Sequence, residues 1–207
     1  RRQTELMTRL GSLRRVLDAE GCVAVESALG ASRDKLAGGT YSPDDESGDA
    51  YKFTVCLADM CKDQGVEFRY GVTIRRLLAD GRRLTGVDTD GGVLAADLYL
   101  LALGSYSPLL VKPLGLALPI YPAKGYSLTM PVKDHGKAPE VSLTDDEHKL
   151  VFSRLGQNLR VAGTVEFVGY DTSVPEARCR PILKTALELF PDSCDAGAAE
   201  FWSGLRP

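Results

Sequence analysis

The sequence predicts a mixed fold, α/β to α+β, for this chain of 207 residues. One observation is a continuously apolar segment, Leu98–Leu103, which ends at Gly104. Such a run is typical of a strand that is buried on both faces of a parallel sheet. The other observation is the second half of the chain, where short strand-like runs alternate with Gly and Asp turns, as in an antiparallel sheet. Together these patterns predict two subdomains that meet near residues 105–120.

The composition is that of a globular protein, with 44% hydrophobic and 26% charged residues. The formal net charge of −3 argues against a nucleic-acid-binding protein, which normally has a basic excess. Five scattered cysteines without a CxxC motif predict reduced thiols, and only two histidines predict no metal site. The longest apolar run near the middle is far shorter than the roughly 20 residues of a membrane-spanning helix, and we expect no export signal.

Helices in the first half are predicted from apolar residues three and four positions apart. The leucines between residues 6 and 17 have this spacing and predict a helix over residues 5–17. A second helix is predicted over residues 50–64, with Gly65 as the residue that ends it. Strands are predicted at residues 66–70, 74–78, 84–88 and 93–103, with a tight hairpin turn at Asp90-Gly91-Gly92.

The second half is predicted to be mostly strand. The predicted strands are residues 121–130, 140–143, 149–154, 159–165 and 201–207. One long helix is predicted over residues 175–190, because Ile182, Ala186 and Phe190 fall on one of its sides.

The turn after the apolar segment is the first candidate site. Gly104 ends the predicted strand, Ser107 is placed to cap a helix, and Pro108 suits the first helical position. A buried strand that stops at glycine before a helix N-terminus is the usual platform for a phosphate or dinucleotide. An ordinary strand-to-helix turn explains the pattern equally well, and the GxGxxG fingerprint is absent from the chain.

Two cations stand in unusual settings in the second half. Lys124 precedes Gly125 and Tyr126 on a strand that follows a proline, and Arg206 stands in an apolar Gly-Leu-Arg-Pro sequence. A guanidinium in such surroundings needs an anionic partner, and its planar fork suits a carboxylate. The partner of Arg206 is therefore predicted to be either the carboxylate of a substrate or an Asp or Glu of the protein.

Several longer runs resemble those of a known enzyme family. They are Lys35-Leu36-Ala37-Gly38-Gly39, Pro43-Asp44-Asp45-Glu46-Ser47-Gly48-Asp49, Lys52-Phe53-Thr54, Ala102-Leu103-Gly104-Ser105-Tyr106-Ser107, Tyr121-Pro122-Ala123-Lys124-Gly125-Tyr126-Ser127-Leu128-Thr129, Phe190-Pro191 and Phe201-Trp202-Ser203-Gly204-Leu205-Arg206-Pro207. With these runs the chain resembles the small subunit of bacterial D-amino acid dehydrogenases, within the D-amino acid oxidase group of flavoproteins. The runs at residues 121–129 and 201–207 are the most specific.

The resemblance implies an FAD-binding domain and a substrate domain built on a mostly antiparallel sheet. In the family, the GxGxxG strand and helix precede the matched region, and further flavin-binding glycines follow the final arginine strand. Residues 40–108 are therefore expected to form an incomplete FAD-binding domain. Residues 1–39 are expected to form a helical segment that packs on the substrate side. Residues 109–207 are expected to form the substrate domain, whose last strand returns toward the cofactor.

The resemblance also implies roles for particular residues. Arg206 matches the arginine that binds the α-carboxylate of the substrate, and Tyr126 is expected to line the same pocket. Ala102, Leu103 and Gly104 are expected to approach the FAD, and the backbone of Val72 is expected to lie near the adenine. Because the GxGxxG motif is absent, the chain by itself is expected to be colourless and inactive.

The implied reaction is oxidative deamination of D-amino acids. The α-hydrogen leaves as a hydride to the flavin, and water hydrolyses the imino acid to a 2-oxo acid and ammonia. In the dehydrogenases the electrons pass to a respiratory acceptor. The reduced cysteines predict a cytoplasmic protein, and a peripheral location on the inner membrane is the second expectation. Two alternatives stay open: an amine oxidase of the glycine or sarcosine type, and a non-catalytic binding module that shares the substrate-domain fold.

Overall fold

The computed structural model describes residues 2–207, and the chain divides into two compact units. Unit 1 comprises the residues up to Asp49, Gly125–Glu166 and Thr172–Gly204. Unit 2 comprises Ala50–Lys124, Phe167–Asp171 and Leu205–Pro207. Each unit is assembled from separate segments of the chain. The functional assignment of residues 1–39, 40–108 and 109–207 stays a prediction.

The helices are α1 (Arg2–Arg9), α2 (Ala19–Val25), α3 (Ala50–Asp63), α4 (Ser107–Val111) and α5 (Glu176–Leu189). The strands are β1 (Arg15–Leu17), β2 (Gly39–Tyr41), β3 (Ile74–Asp80), β4 (Arg83–Thr89), β5 (Gly92–Leu94), β6 (Ala123–Pro131), β7 (Leu143–Asp145), β8 (Leu150–Leu155), β9 (Asn158–Glu166) and β10 (Glu200–Arg206). Each of these helices is too short or too polar to span a bilayer. The mixture of helices with antiparallel sheets confirms the predicted fold class.

Unit 1 has its core between a sheet and helix α5. The sheet has the strand order β10-β6-β9-β8-β7, and the pairs β7–β8 and β8–β9 are antiparallel. Leu128, Phe152 and Val161 project from three neighbouring strands and are fully buried with Ile182 of α5. The two-residue period of the strands and the 3.6-residue period of the helix place these apolar side chains on facing surfaces.

Hydrogen bonds connect the N-terminal segment to the rest of unit 1. The Ser32 hydroxyl donates to the carbonyl oxygens of Leu189 at 2.7 Å and Glu188 at 3.3 Å. The buried Glu26 carboxylate accepts hydrogen bonds from the backbone N–H groups of Ala28, Glu140 and Val141, at 3.0, 2.7 and 2.9 Å. These bonds satisfy a carboxylate that burial would otherwise make costly.

Unit 2 contains a small antiparallel sheet in the order β3-β4-β5. The predicted hairpin turn at Asp90-Gly91-Gly92 is confirmed, because Thr89 pairs with Gly92 across it. Gly92 has φ +110°, a backbone conformation that residues with a side chain rarely adopt. The predicted helix over residues 50–64 is confirmed as α3.

The strand predicted at Leu98–Leu103 is wrong for this structure, and so is the strand predicted at residues 66–70. Neither segment pairs with another strand among residues 2–207, and neither forms regular secondary structure. Leu98 and Leu100 have 89% and 94% of their surface exposed. A strand needs ladder hydrogen bonds to a neighbour, which apolar composition alone does not supply.

The helix predicted over residues 5–17 ends early. Helix α1 stops at Arg9, and Gly11 has φ +91°, which interrupts the helical backbone. Residues 15–17 instead form β1, which pairs antiparallel with β2 so that Arg15 lies opposite Tyr41. The helical spacing of the leucines therefore extends beyond the residues that form the helix.

Candidate functional site

The turn predicted as a candidate site is formed in unit 2. Gly104 has φ +51°, in the left-handed region, and starts a single 3-10 turn, Gly104–Tyr106. The backbone N–H of Tyr106 donates to the carbonyl oxygen of Leu103 at 3.0 Å. Helix α4 follows directly, with Pro108 in its first turn, where a missing N–H group costs nothing. The glycine therefore lets an extended segment reverse into a helix within three residues.

The structure brings the end of the chain to this turn. A Cβ atom built on Gly104 lies 3.6 Å from Cγ of Pro207, which is ordinary van der Waals contact. Arg206, the last residue of β10, is the immediate neighbour of Pro207. The two most strongly predicted site residues, Gly104 and Arg206, therefore belong to one local arrangement within unit 2.

The Arg206 side chain is exposed, and within residues 2–207 it has no hydrogen-bond or ion-pair partner. Of the two partners that the sequence left open, an Asp or Glu of the described chain is therefore not the one observed. An unpaired guanidinium with five N–H donors is free to bind a planar anion through two parallel hydrogen bonds. This arrangement can hold a carboxylate in a fixed orientation.

Two further predicted cofactor residues, Ala102 and Leu103, are exposed next to Gly104. Because both residues are exposed and outside regular secondary structure, they are open to a ligand. Val72, also exposed, lies elsewhere in unit 2, in a cleft of about 290 Å³. The cleft is lined by Arg69, Val72, Ile74, Val87, Thr89, Leu94, Ala95, Ala96 and Tyr99. Its size is just below the roughly 300–1,000 Å³ typical of small-molecule sites.

Tyr126 lies in unit 1, where its side chain is 2% exposed and packs in the core. Its hydroxyl donates a hydrogen bond to Glu166, and Glu166 also forms an ion pair with Arg178 at 2.8 Å. The phenol is therefore anchored by a carboxylate that is itself neutralised by an arginine. The role of Tyr126 as a residue lining the substrate pocket stays a prediction.

A stack of side chains on the sheet of unit 1 was not predicted from the sequence. The Arg160 guanidinium lies over the Trp202 ring, 5.3 Å from its centre, and donates to the Ser127 hydroxyl at 3.0 Å. The distal edge of the indole occupies the space of a Gly204 side chain, because a Cβ built there comes within 2.0 Å of the ring. The spacing of Trp202 and Gly204 could have indicated this contact, since residues two apart share one face of a strand. Nothing in the sequence pointed to Arg160.

Comparison with known sequences gives one family for this chain. The family model described as "DAO: FAD dependent oxidoreductase" matches residues 1–207. A protein named D-amino acid dehydrogenase from Paramagnetospirillum magneticum is 55% identical over 206 residues, which are 100% of this chain and 49% of that protein. One of the same name from Allorhizobium ampelinum is 50% identical over 192 residues, which are 93% of this chain and 45% of that protein. The chain thus spans about half the length of the curated relatives it matches.

Solved structures show the same fold at lower sequence identity. Glycine oxidase from Bacillus cereus matches with a TM-score of 0.83 and 19% identity, covering 100% of this chain and 55% of that chain. Glycine oxidase from Geobacillus kaustophilus matches with a TM-score of 0.81 and 23% identity, covering 100% of this chain and 54% of that chain.

Proposed function

Because this chain belongs to the family of FAD-dependent oxidoreductases whose model covers residues 1–207, we propose that the protein containing it oxidatively deaminates D-amino acids to 2-oxo acids and ammonia. The choice of substrate is supported by the 55% identity to a protein named D-amino acid dehydrogenase. The observation that carries the chemistry is the exposed Arg206 side chain, which has no partner within residues 2–207 and whose chain neighbour Pro207 lies against Gly104.

The residues of unit 2 fit an FAD. The Gly104 turn exposes Leu103 and Ala102, and the Ser105 hydroxyl, although buried, has no hydrogen-bond partner among residues 2–207. The cleft at Val72 is mostly apolar with a few polar groups, as a flat heterocycle requires. We propose that Ala102, Leu103 and Gly104 hold the nucleotide along its edge and that the backbone of Val72 lies near the adenine.

The chemistry that a bound FAD supplies is acceptance of two electrons from the substrate carbon–hydrogen bond. The chain's own contribution is orientation. Arg206 binds the α-carboxylate, which all D-amino acids share, through two charge-assisted hydrogen bonds. A single such clamp accommodates many side chains while it fixes the direction of the Cα–H bond, and a misplacement of about 1 Å can cost roughly 10²-fold in rate.

No histidine of the chain belongs to unit 2, since His135 and His148 both fall in unit 1. We propose that the substrate is oxidised with its amine already neutral, so that no histidine is needed as a general base. The expected outcome is a kcat/KM that rises with pH toward the pKa of the substrate ammonium group. A profile governed by a group with a pKa near that of histidine would count against this part of the proposal.

The test of the function uses a full-length protein that contains this sequence. D-alanine is expected to reduce an artificial dye, and L-alanine is not. Arg206→Ala is expected to lower kcat/KM at least about 100-fold, because each charge-assisted hydrogen bond contributes roughly 1.5–3 kcal/mol and about 1.4 kcal/mol is tenfold. The kcat/KM of Arg206→Lys should lie between those of the wild type and Arg206→Ala, because lysine keeps the positive charge but cannot donate two parallel hydrogen bonds from a planar group.

Arg82→Ala is the matched control, because Arg82 is an exposed arginine at the turn between β3 and β4. Its kcat/KM should equal that of the wild type. Near-normal kcat/KM for D-alanine in Arg206→Ala would refute the carboxylate clamp.

The electron acceptor and the location complete the proposal. The relatives are named dehydrogenases, which supports an electron acceptor other than oxygen. We propose a respiratory acceptor, and a cytoplasmic protein bound peripherally to the inner membrane. Quinone reduction should then exceed oxygen consumption with D-alanine, and activity should sediment with membranes at low salt. Rapid oxygen consumption by a fully soluble enzyme would instead indicate an oxidase.

A further inference from the structure

A short loop of unit 2 follows β9 in the sequence. Its side chains contact other residues of that unit. This loop, Phe167–Asp171, is here called the clasp loop. It contains Gly169 with φ +66°, a left-handed conformation that lets the chain turn sharply.

Tyr170 of the clasp loop contacts the Gly104–Tyr106 turn in two ways. Its hydroxyl donates to the carbonyl oxygen of Ser105 at 2.8 Å. Its ring packs against the ring of Tyr106, with the ring centres 5.4 Å apart and tilted by 39°. One side chain therefore fixes both the backbone and the outward side chain of the turn.

Two more contacts hold the clasp loop itself. The rings of Phe167 and Tyr121 lie 6.0 Å apart. Asp171 forms an ion pair at 3.2 Å with Lys124, whose side chain is fully buried. A buried ammonium group is costly without a nearby anion, so this pair resists separation. With both ends of the loop anchored, Tyr170 has little freedom to leave the turn.

The Gly104–Tyr106 turn receives a hydrogen bond from outside its own segment. Gly104 holds a left-handed conformation, and the Ser105 hydroxyl makes no hydrogen bond within residues 2–207. The hydrogen bond from the Tyr170 hydroxyl to the Ser105 carbonyl oxygen thus connects the clasp loop to the central residue of the turn.

We propose that Tyr170 is a positioning residue, which holds the Gly104–Tyr106 turn in the shape that binds the flavin nucleotide. The inference rests on the proposed function, because that function makes Ala102, Leu103 and Gly104 the cofactor edge. Tyr170 acts through Ser105 and Tyr106 and does not itself contact substrate.

The test is a Tyr170→Phe variant of a full-length protein that contains this sequence, which loses the hydroxyl and keeps the ring. FAD affinity, measured by titrating the apoprotein and following flavin fluorescence, is expected to fall about three- to tenfold. This is the change that loss of one hydrogen bond produces. Tyr170→Ala, which also loses the ring contact, should weaken binding further.

Tyr121→Phe is the matched control. Tyr121 also contacts the clasp loop through its ring, but its hydroxyl makes no hydrogen bond within residues 2–207. Its FAD affinity should therefore equal that of the wild type.

Hydrogen exchange of the apoprotein separates positioning from general stability. Amides of residues 103–107 should exchange faster in Tyr170→Phe, while those of the β3–β4–β5 sheet should not change. Wild-type FAD affinity in Tyr170→Phe overturns the inference, even if exchange is faster. Failure of the wild type to bind FAD overturns the proposed function and this inference together, so the two failures are distinguishable.

Discussion

At the scale of single residues, Gly204 shows how a missing side chain creates a contact. The Trp202 ring occupies the volume that a Cβ on Gly204 would fill, and Arg160 covers the ring from a strand two positions away in the sheet. A guanidinium over an indole is attractive because the ring face carries negative charge density. The glycine is therefore required by packing and not by its backbone angles.

Gly204→Ala is expected to displace the indole, since no real Cβ tolerates a heavy atom at 2.0 Å. Trp202 is the single tryptophan of the chain, so its emission reports on this site alone in the 207-residue protein. The emission maximum should shift and iodide quenching should change. Gly125→Ala is the control on the neighbouring strand β6, because a Cβ there meets no atom within 4 Å. Identical spectra for Gly204→Ala and the wild type would disprove the contact.

Burial separates the cysteines into two classes of reactivity. Burial raises the pKa of the Cys179 and Cys194 thiols, which lowers the fraction of reactive thiolate. Cys56 is exposed. Alkylation of the native chain by iodoacetamide at pH 8 should therefore modify Cys56 first. Mass spectrometry should find Cys179 and Cys194 unmodified until denaturant is added, and early labelling of either one would contradict their burial.

At the scale of elements, Glu26 joins the end of helix α2 to the loop before β7. Its carboxylate accepts three backbone hydrogen bonds in a buried position. Glu26→Gln replaces one acceptor oxygen by a donor, which leaves buried N–H groups unsatisfied. The free energy of unfolding should fall by roughly 2–4 kcal/mol, because a bond to a charged group contributes roughly 1.5–3 kcal/mol.

The comparison for Glu26 is Glu20→Gln. Glu20 forms an exposed ion pair with Arg33 at 2.6 Å. Exposed pairs contribute about 0–1 kcal/mol. The urea concentration at the midpoint of unfolding should therefore be clearly lower for Glu26→Gln than for Glu20→Gln. Equal midpoints would show that the three hydrogen bonds to Glu26 contribute little.

The turn between β7 and β8 contains a titrating pair, Asp145 and His148. The hydrogen bond of the His148 ring Nδ1 to the accepting Asp145 carboxylate, at 2.7 Å, raises the pKa of His148 above its usual value, and the negative charge of Asp145 adds to this effect. Burial disfavours ionisation of Asp145, but the side chain of His148 and the backbone N–H groups of Glu147 and His148 outweigh burial, so the pKa of Asp145 is lowered.

The signs of these two shifts define a pH window for the pair. Stability from the raised pKa of His148 is complete below about pH 6.5 and is lost as pH rises through that raised pKa. Stability from Asp145 is present above about pH 3.9 and is lost as pH falls through its lowered pKa. Proton NMR of the His148 ring should give a pKa above 6.5 that drops in Asp145→Asn. An unchanged His148 pKa in that variant would rule the pair out as the cause.

Periodicity predicted the elements that are stabilised by their own sequence or by near neighbours. Helices α3 and α5 have one apolar side and clear ends, and the β3–β4 and β4–β5 hairpins have their turn residues in place. The failed strand at Leu98–Leu103 has the right composition, but a strand also requires a partner backbone. The sequence of the segment alone does not show whether such a partner is present.

The candidate site was predictable in part for the same reason. Gly104 and Arg206 stand in short motifs whose chemistry is local, and the structure places Pro207 beside Gly104. Arg160 and Tyr170 act on residues more than 30 positions away, on Trp202 and Ser105. Their roles depend on sheet order and loop path, which no spacing in the sequence encodes.

At the scale of the whole molecule, unit 2 exposes a large number of apolar side chains. Leu98 and Leu100 are almost fully exposed, and on α3 Tyr51 and Phe53 have 78% and 70% of their surface exposed. Soluble monomers rarely expose contiguous apolar patches of more than a few hundred Å². The 207-residue chain should therefore bind a hydrophobic dye such as ANS. Because the chain has no GxGxxG motif, it should also be colourless.

A full-length protein that contains this sequence should bind several-fold less ANS per molecule and be yellow. Fluorescence and visible absorbance of the two preparations check both points. A yellow 207-residue preparation would show that the chain holds flavin without the GxGxxG region.

The hydrogen bond between Ser32 and Leu189 has a consequence for the synthesis of the protein. The two residues are 157 positions apart, so this contact forms only after α5 has left the ribosome. At roughly 5–20 residues per second, the N-terminal segment waits about 8–30 s for its partner. The β3–β4–β5 sheet, by contrast, has all its strands between residues 74 and 94 and can form as soon as it emerges. A ribosome-bound chaperone that shields the first 49 residues during this interval should therefore raise the yield of folded chain.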